Sequence, residues 1–265
     1  MNNESGASAA QQAATALITA ALTDVRIDGL PADCRPTSLA QGYAVQAIVA
    51  SRAGRPLAGW KIAATSAAGQ RHIGVDGPIA ARLLSEQVVG SGLAFPLAQN
   101  VMRCAEAEFA FRMARDLPAR STPYLVEDVM AAVSALHPAV EIPDSRYRDF
   151  SKVGAAQLVA DGACSAWLAT APAAPEQWRG LDLAIHEVVA QRNGVEAGRG
   201  SGRNVLGDPR VALTWLANEL NAQGEQLRAG DLVTTGACVG PMDVAQGDRM
   251  VVDFGMLGVV EVAFF

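Results

Sequence analysis

Cys104-Ala105-Glu106-Ala107-Glu108-Phe109-Ala110-Phe111 alternates apolar and acidic residues at its centre. The strand period of two sends Ala107, Phe109, Phe111 and Met113 to one face and Glu106 and Glu108 to the other. Adjacent carboxylates repel and raise each other's pKa unless a cation joins them, and an all-oxygen donor set favours a hard ion such as Mg²⁺ or Mn²⁺. Alternating Glu on a solvated strand face is just as ordinary, so the pair alone leaves both readings open. Glu141, in Pro138-Ala139-Val140-Glu141-Ile142-Pro143, adds a third acid pointing opposite to Val140 and Ile142. Its competing role, which spacing alone favours, is an ion pair with Arg146 or Arg148. Lys61 alternates against Trp60 and Ile62, and small Gly59 and Ala63 leave room around its ammonium. In a cleft that group stabilises an enolate, or moves protons if burial or a cation lowers its pKa; the commoner fate of a lysine is a stem snorkelling to solvent.

Other patterns fail. Gly198-Arg199-Gly200-Ser201-Gly202-Arg203 has Arg203 where a dinucleotide fingerprint needs its third glycine, and neither a Gly-Lys-Ser/Thr loop nor a Gly-x-Ser-x-Gly elbow occurs. His72, His137 and His186 are too scattered for a zinc site, although His72 and His137 lie near the Lys61 and Glu141 segments.

The elements that must position these residues follow from periodicity. Ala14, Leu17, Ile18, Ala21, Leu22 and Val25 form one stripe of a helix over 13–25, and Ser38-Leu39-Ala40-Gln41 has the form of a capping box opening a helix that ends near Gly54. Two further helices are expected, 126–136 and 208–220. Strands are expected at 59–63, 105–113, 139–142, 183–192, 231–235, 249–254 and 259–265. The spacing is too irregular for βαβ repetition. The reading is one α+β domain over 1–265, with a helical N-terminal segment (1–57) and a β-rich body (58–265).

Composition bounds the function. The 265 residues are 50% hydrophobic and 18% charged, which excludes disorder and favours a well-covered or oligomer-buried surface. A net charge of −6 without basic runs removes the footprint of a nucleic-acid binder. Four dispersed cysteines fit a reducing, cytoplasmic setting, and the interrupted apolar residues of 1–22 read as neither signal peptide nor membrane span.

Taken in order, Gly59-Trp60-Lys61-Ile62, Gly74-Val75-Asp76-Gly77-Pro78, Glu106-Ala107-Glu108, Pro138-Ala139-Val140-Glu141-Ile142 and Asp144-Ser145-Arg146 resemble the 2-keto-4-pentenoate hydratase and 2-oxo-3-hexenedioate decarboxylase family. The likeness continues through Val159-Ala160-Asp161, Gly207-Asp208-Pro209, Ala229-Gly230-Asp231 and Thr235-Gly236, and spans nearly everything from Ala40 onward. It implies the fold of the fumarylacetoacetate hydrolase superfamily, a mixed β-roll or sandwich flanked by helices. It also implies that Glu106, Glu108 and Glu141 ligate Mg²⁺ or Mn²⁺ and that Lys61 faces the substrate. The implied reaction is addition of water to a small 2-hydroxy-2,4-dienoate, giving a 4-hydroxy-2-oxo acid in aromatic catabolism.

The alternatives are a 2-oxo-3-enedioate decarboxylase, marked by an inward Arg82 or Arg146, an acylpyruvate-type C–C hydrolase, and a scaffold that has lost turnover. Self-association, and association with a partner decarboxylase, are further implications. Three positions depart from the family pattern: Ile79-Ala80-Ala81 where an acid often follows Pro78, Gly162-Ala163-Cys164 where Asn-Ala-Ser is usual, and Ala237 where Ser or Thr is usual.

Overall fold

A computed structural model describes the backbone of residues 2–265 and the side chains of residues 8–265; Met1, the start of the expected 1–265 unit, lies outside the described residues. In chain order the helices are α1 (Asn2–Thr23), α2 (Leu39–Arg52), α3 (Ala67–Ile73), α4 (Val126–Met130), α5 (Ala155–Ala160) and α6 (Pro209–Ala222). The strands are β1 (Leu57–Ala63), β2 (Ile79–Leu84), β3 (Val88–Gly90), β4 (Leu93–Phe95), β5 (Cys104–Met113), β6 (Val133–Ile142), β7 (Trp167–Thr170), β8 (Glu187–Arg192), β9 (Val195–Ser201), β10 (Leu232–Asp243), β11 (Arg249–Asp253) and β12 (Val259–Phe264). The α+β expectation holds.

Seven strands form one mixed sheet in the order β2-β1-β10-β5-β6-β7-β3, and five form a second in the order β4-β12-β11-β8-β9. The two edges of the larger sheet, β2 and β3, are joined by the single turn Ser85–Gln87. A three-residue link between opposite edges requires the sheet to roll almost closed, which gives it an inside and an outside. Outward-facing Trp60, Ile62, Phe109, Phe111 and Val140 pack with Val188, Met250, Val252, Val260 and Val262 of the second sheet in the main core. On the inner face Leu83, Ala110, Ala139, Leu168 and Leu232 make a separate apolar plug.

The N-terminal segment buries Ala13, Ala14 and Leu17 against Leu30, Val45 and Tyr147. The stripe is rotated from the expected one: Ala13, Ala14, Leu17 and Ala20 form the buried face, whereas Leu22 is 82% exposed within α1 and Val25, past its end at Thr23, is 52% exposed. Ser38 caps α2 by accepting from Gln41 N, but the Gln41 side chain accepts from Thr37 N instead of closing the expected box. Buried Gln46 ties α2 to its neighbours, donating to Val159 O at 2.8 Å and Ala80 O at 3.2 Å.

The expected helix over 126–136 is corrected: α4 ends at Met130 and the chain continues as β6. Pairing of Val133 with Met113 and Leu136 with Phe111 overrides a short apolar run whose periodicity suits either element. The structure also contains α3, α5, β2, β3, β4, β7 and β9, which the pattern reading does not anticipate. β10 runs well past the expected Thr235, and Leu183–His186 stays outside β8.

Seating of α2 on α5 depends on Gly42, where an added Cβ would lie 2.4 Å from the Ala156 carbonyl oxygen. Gly42→Val is therefore expected to destabilise the protein by about 1–3 kcal/mol. Urea unfolding checks this, and an unchanged midpoint would show that the two helices do not pack this way in solution.

Candidate metal centre

The inner face of the roll carries the acidic residues because their register leaves no alternative. Glu106 of β5 stands directly opposite Glu141 of β6, and Glu108 follows two residues on, on the same side. One carboxylate oxygen from each of Glu106, Glu108 and Glu141 lies within 4.8 Å of the others. Glu108 is 1% and Glu141 2% exposed, so these are not acids on a solvated face. The Gly236 amide donates to Glu108 Oε2 at 2.9 Å. Gly236 has φ of 95°, and a Cβ there would lie 2.1 Å from Thr65 Oγ1, so only glycine lets this amide approach.

Lys61, on β1 of the same sheet, is 3% exposed, which replaces the snorkelling expectation by full burial. Its Nζ donates to Glu141 Oε1 at 2.5 Å and to Ala163 O at 2.9 Å. An ammonium has three N–H donors. Among the described residues no third acceptor is in reach, and Lys61 lines the cavity along with all three acids. The expected Glu141 pairing with Arg146 or Arg148 is thus corrected. Arg146 binds Asp161, and Arg148 meets Asp28 at 3.1 Å on the surface.

The carbonyl that fixes Lys61 comes from an unusual turn. Gly162, Ala163 and Cys164 all have left-handed φ, 69°, 46° and 64°, and two of them carry a Cβ. Such a conformation costs free energy and persists only where neighbours over-determine it. Arg146 supplies that constraint: Nε binds the Asp161 carboxylate, Nη2 binds Asp161 O, and Nη1 reaches Ser165 O at 3.4 Å. Ser145 Oγ donates to the second Asp161 carboxylate oxygen at 2.7 Å. Periodicity misses this clamp because its partners are joined only by the fold; the visible signs are the Asp144-Ser145-Arg146 and Val159-Ala160-Asp161 runs of the family resemblance, together with Gly162.

Three carboxylates face one ammonium, and the pKa directions record the imbalance. Burial first, then the Glu141 charge, pushes the Glu106 carboxyl up to about 7, against the lowering effect of Lys61. Burial, with Glu141 and Glu106, holds Glu108 well above the carboxylate range. For Lys61 burial acts to lower the pKa, but Glu141 and Glu108 outweigh it and the net shift is upward. The lowered pKa considered for a proton-moving lysine is therefore not found; the group is a firmly held ammonium. Oxygen-only donors, buried and short of positive charge, fit a hard dication.

The surrounding cavity is about 680 Å³. Neither Arg82 nor Arg146 lines it, so neither is the inward guanidinium considered from sequence. Arg82 lies over the Trp60 ring at 4.7 Å and pairs with Glu225. His72 lines the outer wall edge-on to Phe150, 5.7 Å between centroids. His137 binds Ala171 O through Nδ1 at 3.0 Å, and burial pushes its pKa down. Cys104 and Cys164 also line the cavity. Burial, then the Asp161 charge, pushes the Cys164 thiol up to about 12, so it is a neutral group at pH 7.

Comparison with known proteins agrees with this architecture. Residues 85–264 match the family described as fumarylacetoacetate (FAA) hydrolase C-terminal. The chain is 36% identical over 259 residues to "2-keto-4-pentenoate hydratase 1" of Dechloromonas aromatica, covering 96% of each chain. It is 32% identical over 230 residues to a 4-oxalocrotonate decarboxylase of Pseudomonas putida, covering 86% of each. The solved 4-oxalocrotonate decarboxylase from Pseudomonas putida G7, complexed with magnesium and adipate, superposes with a TM-score of 0.88 at 30% identity, covering 97% of both chains. A rolled sheet with this extent of likeness to hydratases and a decarboxylase settles the ancestry: the chain belongs to the fumarylacetoacetate hydrolase family, in the group that includes the 2-keto-4-pentenoate hydratases.

Proposed function

We propose that the protein is a divalent-metal-dependent hydratase that adds water to a small 2-hydroxy-2,4-dienoate and yields a 4-hydroxy-2-oxo acid. The observation that carries this reading is the Lys61 ammonium buried against Glu141, within a cluster of three carboxylates that opens onto a cavity. Glu106, Glu108 and Glu141 would hold Mg²⁺ or Mn²⁺. An ion held there would supply the positive charge that lowers the energy of a 2-oxo acid's enolate.

The chain's own contribution is the proton at Lys61 Nζ. With two N–H groups committed to Glu141 and Ala163, the third is free to point at the substrate oxygen that gains charge as the dienol becomes the conjugated ketone. That ketone accepts hydroxyl at C4 and a proton at C3, which balances as substrate plus water. Ala163 O and Glu141 hold the ammonium in place throughout, so its alignment costs no reorganisation during the reaction. The relative's decarboxylase chemistry is the second reading, since loss of a carboxylate also passes through an enolate. It is placed second because among the described residues no Arg lines the cavity to take a second carboxylate. We read residues 1–265 as one catalytic unit, and the four free, buried cysteines support a reducing, cytoplasmic setting. Among the described residues no helix is long and apolar enough to cross a membrane.

Turnover of 2-hydroxypenta-2,4-dienoate, followed by loss of its ultraviolet absorbance, should require added Mg²⁺ or Mn²⁺. Glu106→Gln should weaken that requirement's basis, metal affinity, at least tenfold. Turnover unaffected by chelator would sink the metal-dependent reading, whereas metal binding without turnover of any dienoate would favour a scaffold.

Lys61→Ala is expected to lower kcat by about 10²- to 10⁴-fold while changing metal affinity far less. Normal kcat in that variant would remove Lys61 from the chemistry.

The raised Glu106 pKa also predicts a pH dependence of stability. Folding favours the protonated carboxyl, so the metal-free protein should lose stability as pH rises from about 4.5 to about 7. Saturating Mg²⁺ should remove that decline, and thermal unfolding across the window, with and without the ion, checks both statements.

A further inference from the structure

The cavity is much larger than a five-carbon dienoate needs. Such an acid has eight non-hydrogen atoms; even at the roughly 30 Å³ that a water takes in the liquid, it fills about 240 Å³, and a dication with three waters adds about 90 Å³. About half of the 680 Å³ is left over. What lines that remainder is mainly apolar. Ile79, Leu158, Ala163 and Cys164 form one buried cluster, with Ile73, Met102 and Phe150 packed against it. The cluster begins beside the reactive head, since the Ala163 carbonyl is the acceptor that holds Lys61. It runs outward to Phe150 and the exposed His72. Ile79, 1% exposed, and Leu158, 2% exposed, back this wall, and the partly exposed Ile73, Met102 and Phe150 form its surface.

Charge points the same way. Among the described residues Lys61 is the only lysine or arginine lining the cavity, and Glu141 already pairs with it. The remaining charged group on the wall, Asp243, would repel a second carboxylate. His72 offers one solvent-exposed imidazole, where an ion pair gains little over water.

We infer that the site takes a 2-hydroxydienoic or 2-oxo acid whose far end carries an extended alkyl or aryl group, seated on the wall that Ile73, Met102 and Phe150 present over buried Ile79 and Leu158, and not a second carboxylate. The inference rests on the hydratase reading for the orientation of the head group, because the triad and Lys61 fix which end of the acid is bound. Burial of each added methylene on this wall should strengthen binding about three- to fourfold.

Two measurements separate this inference from the reading beneath it. Isothermal titration of the Mg²⁺-loaded protein with pyruvate, 2-oxohexanoate, 4-phenyl-2-oxobutanoate and 2-oxoadipate reads the wall without catalysis. The 2-oxohexanoate and phenyl compounds should bind at least tenfold tighter than pyruvate, and 2-oxoadipate more weakly than 2-oxohexanoate. Phe150→Ala, at a half-buried position, should reduce the ratio of phenyl compound to pyruvate affinity several-fold. A flat series, or tightest binding of 2-oxoadipate, overturns the inference. In parallel, kcat/KM for 2-hydroxydienoates bearing hydrogen, methyl, propyl or phenyl at C5 should rise along the series. A graded affinity series without turnover would refute the hydratase and keep the apolar-tail site; turnover with no preference for longer tails would do the reverse. Failure of every 2-oxo acid to bind would overturn both.

Discussion

Three carboxylates and one ammonium on the inner face of a rolled sheet constrain most of what this structure does. Water cannot solvate all of these charges, and a buried carboxylate without a partner is costly enough that it protonates or recruits a cation. Lys61 offsets one negative charge, that of Glu141. The excess stays with Glu106 and Glu108, whose raised pKa values show the fold resisting their ionisation. A dication held by the three carboxylates would relieve this conflict. Stability, protonation and the chemistry of the cavity are therefore one electrostatic problem.

The geometry of that problem is set on the opposite face of the same strand. Phe109 and Phe111 are fully buried between the two sheets, each contributing roughly 2–3 kcal/mol through burial. Because side chains alternate, a one-residue slip of β5 would put both rings into the cavity and drive Glu106 and Glu108 into the apolar core. The core thus fixes the register that sets Glu106 opposite Glu141. Ala107, too small to disturb the packing, separates the two acids, and the Glu-Ala-Glu spacing is the imprint of a site and a core sharing one strand.

That shared strand is why the centre was legible in sequence. Alternation around Glu106 and Glu108, and the isolated acid at Glu141, place three carboxylates on strands; the family likeness supplies their convergence. The α+β class follows from the same alternation. Legibility fails where the determining contacts are remote. β2 reads as a run of apolar residues because it is buried on both faces, and α3 has a Ser66 cap and a Gly74 stop but buries no residue, so it leaves no stripe. β6 was obscured because Val133–Leu136 carries no period that separates helix from strand, and β5 decides the outcome. Arg146 lies five residues from Glu141 in sequence, yet its charge is spent on Asp161, which spacing cannot reveal.

The two ends of the cavity answer to different constraints. At the head, Lys61 has no freedom: its acceptors are a carboxylate fixed by strand register and a carbonyl fixed by a left-handed turn that Arg146 and Asp161 hold from both ends. Substituting any of these leaves a buried charge or a strained turn unsupported, so variation there is expensive. Ile79 and Ala237 line the cavity without hydrogen-bonding Lys61 or the triad through their side chains, and an apolar replacement there leaves no charge unmatched. Gly162 keeps the turn that Asn can also form, since both residues tolerate a left-handed φ. Of the positions that depart from the resemblance, Ile79 belongs to the apolar wall, whereas Gly162 and Cys164 flank the Ala163 carbonyl that holds Lys61, and Ala237 follows the Gly236 amide that binds Glu108, so a substitution at the head persists only where it keeps the backbone path.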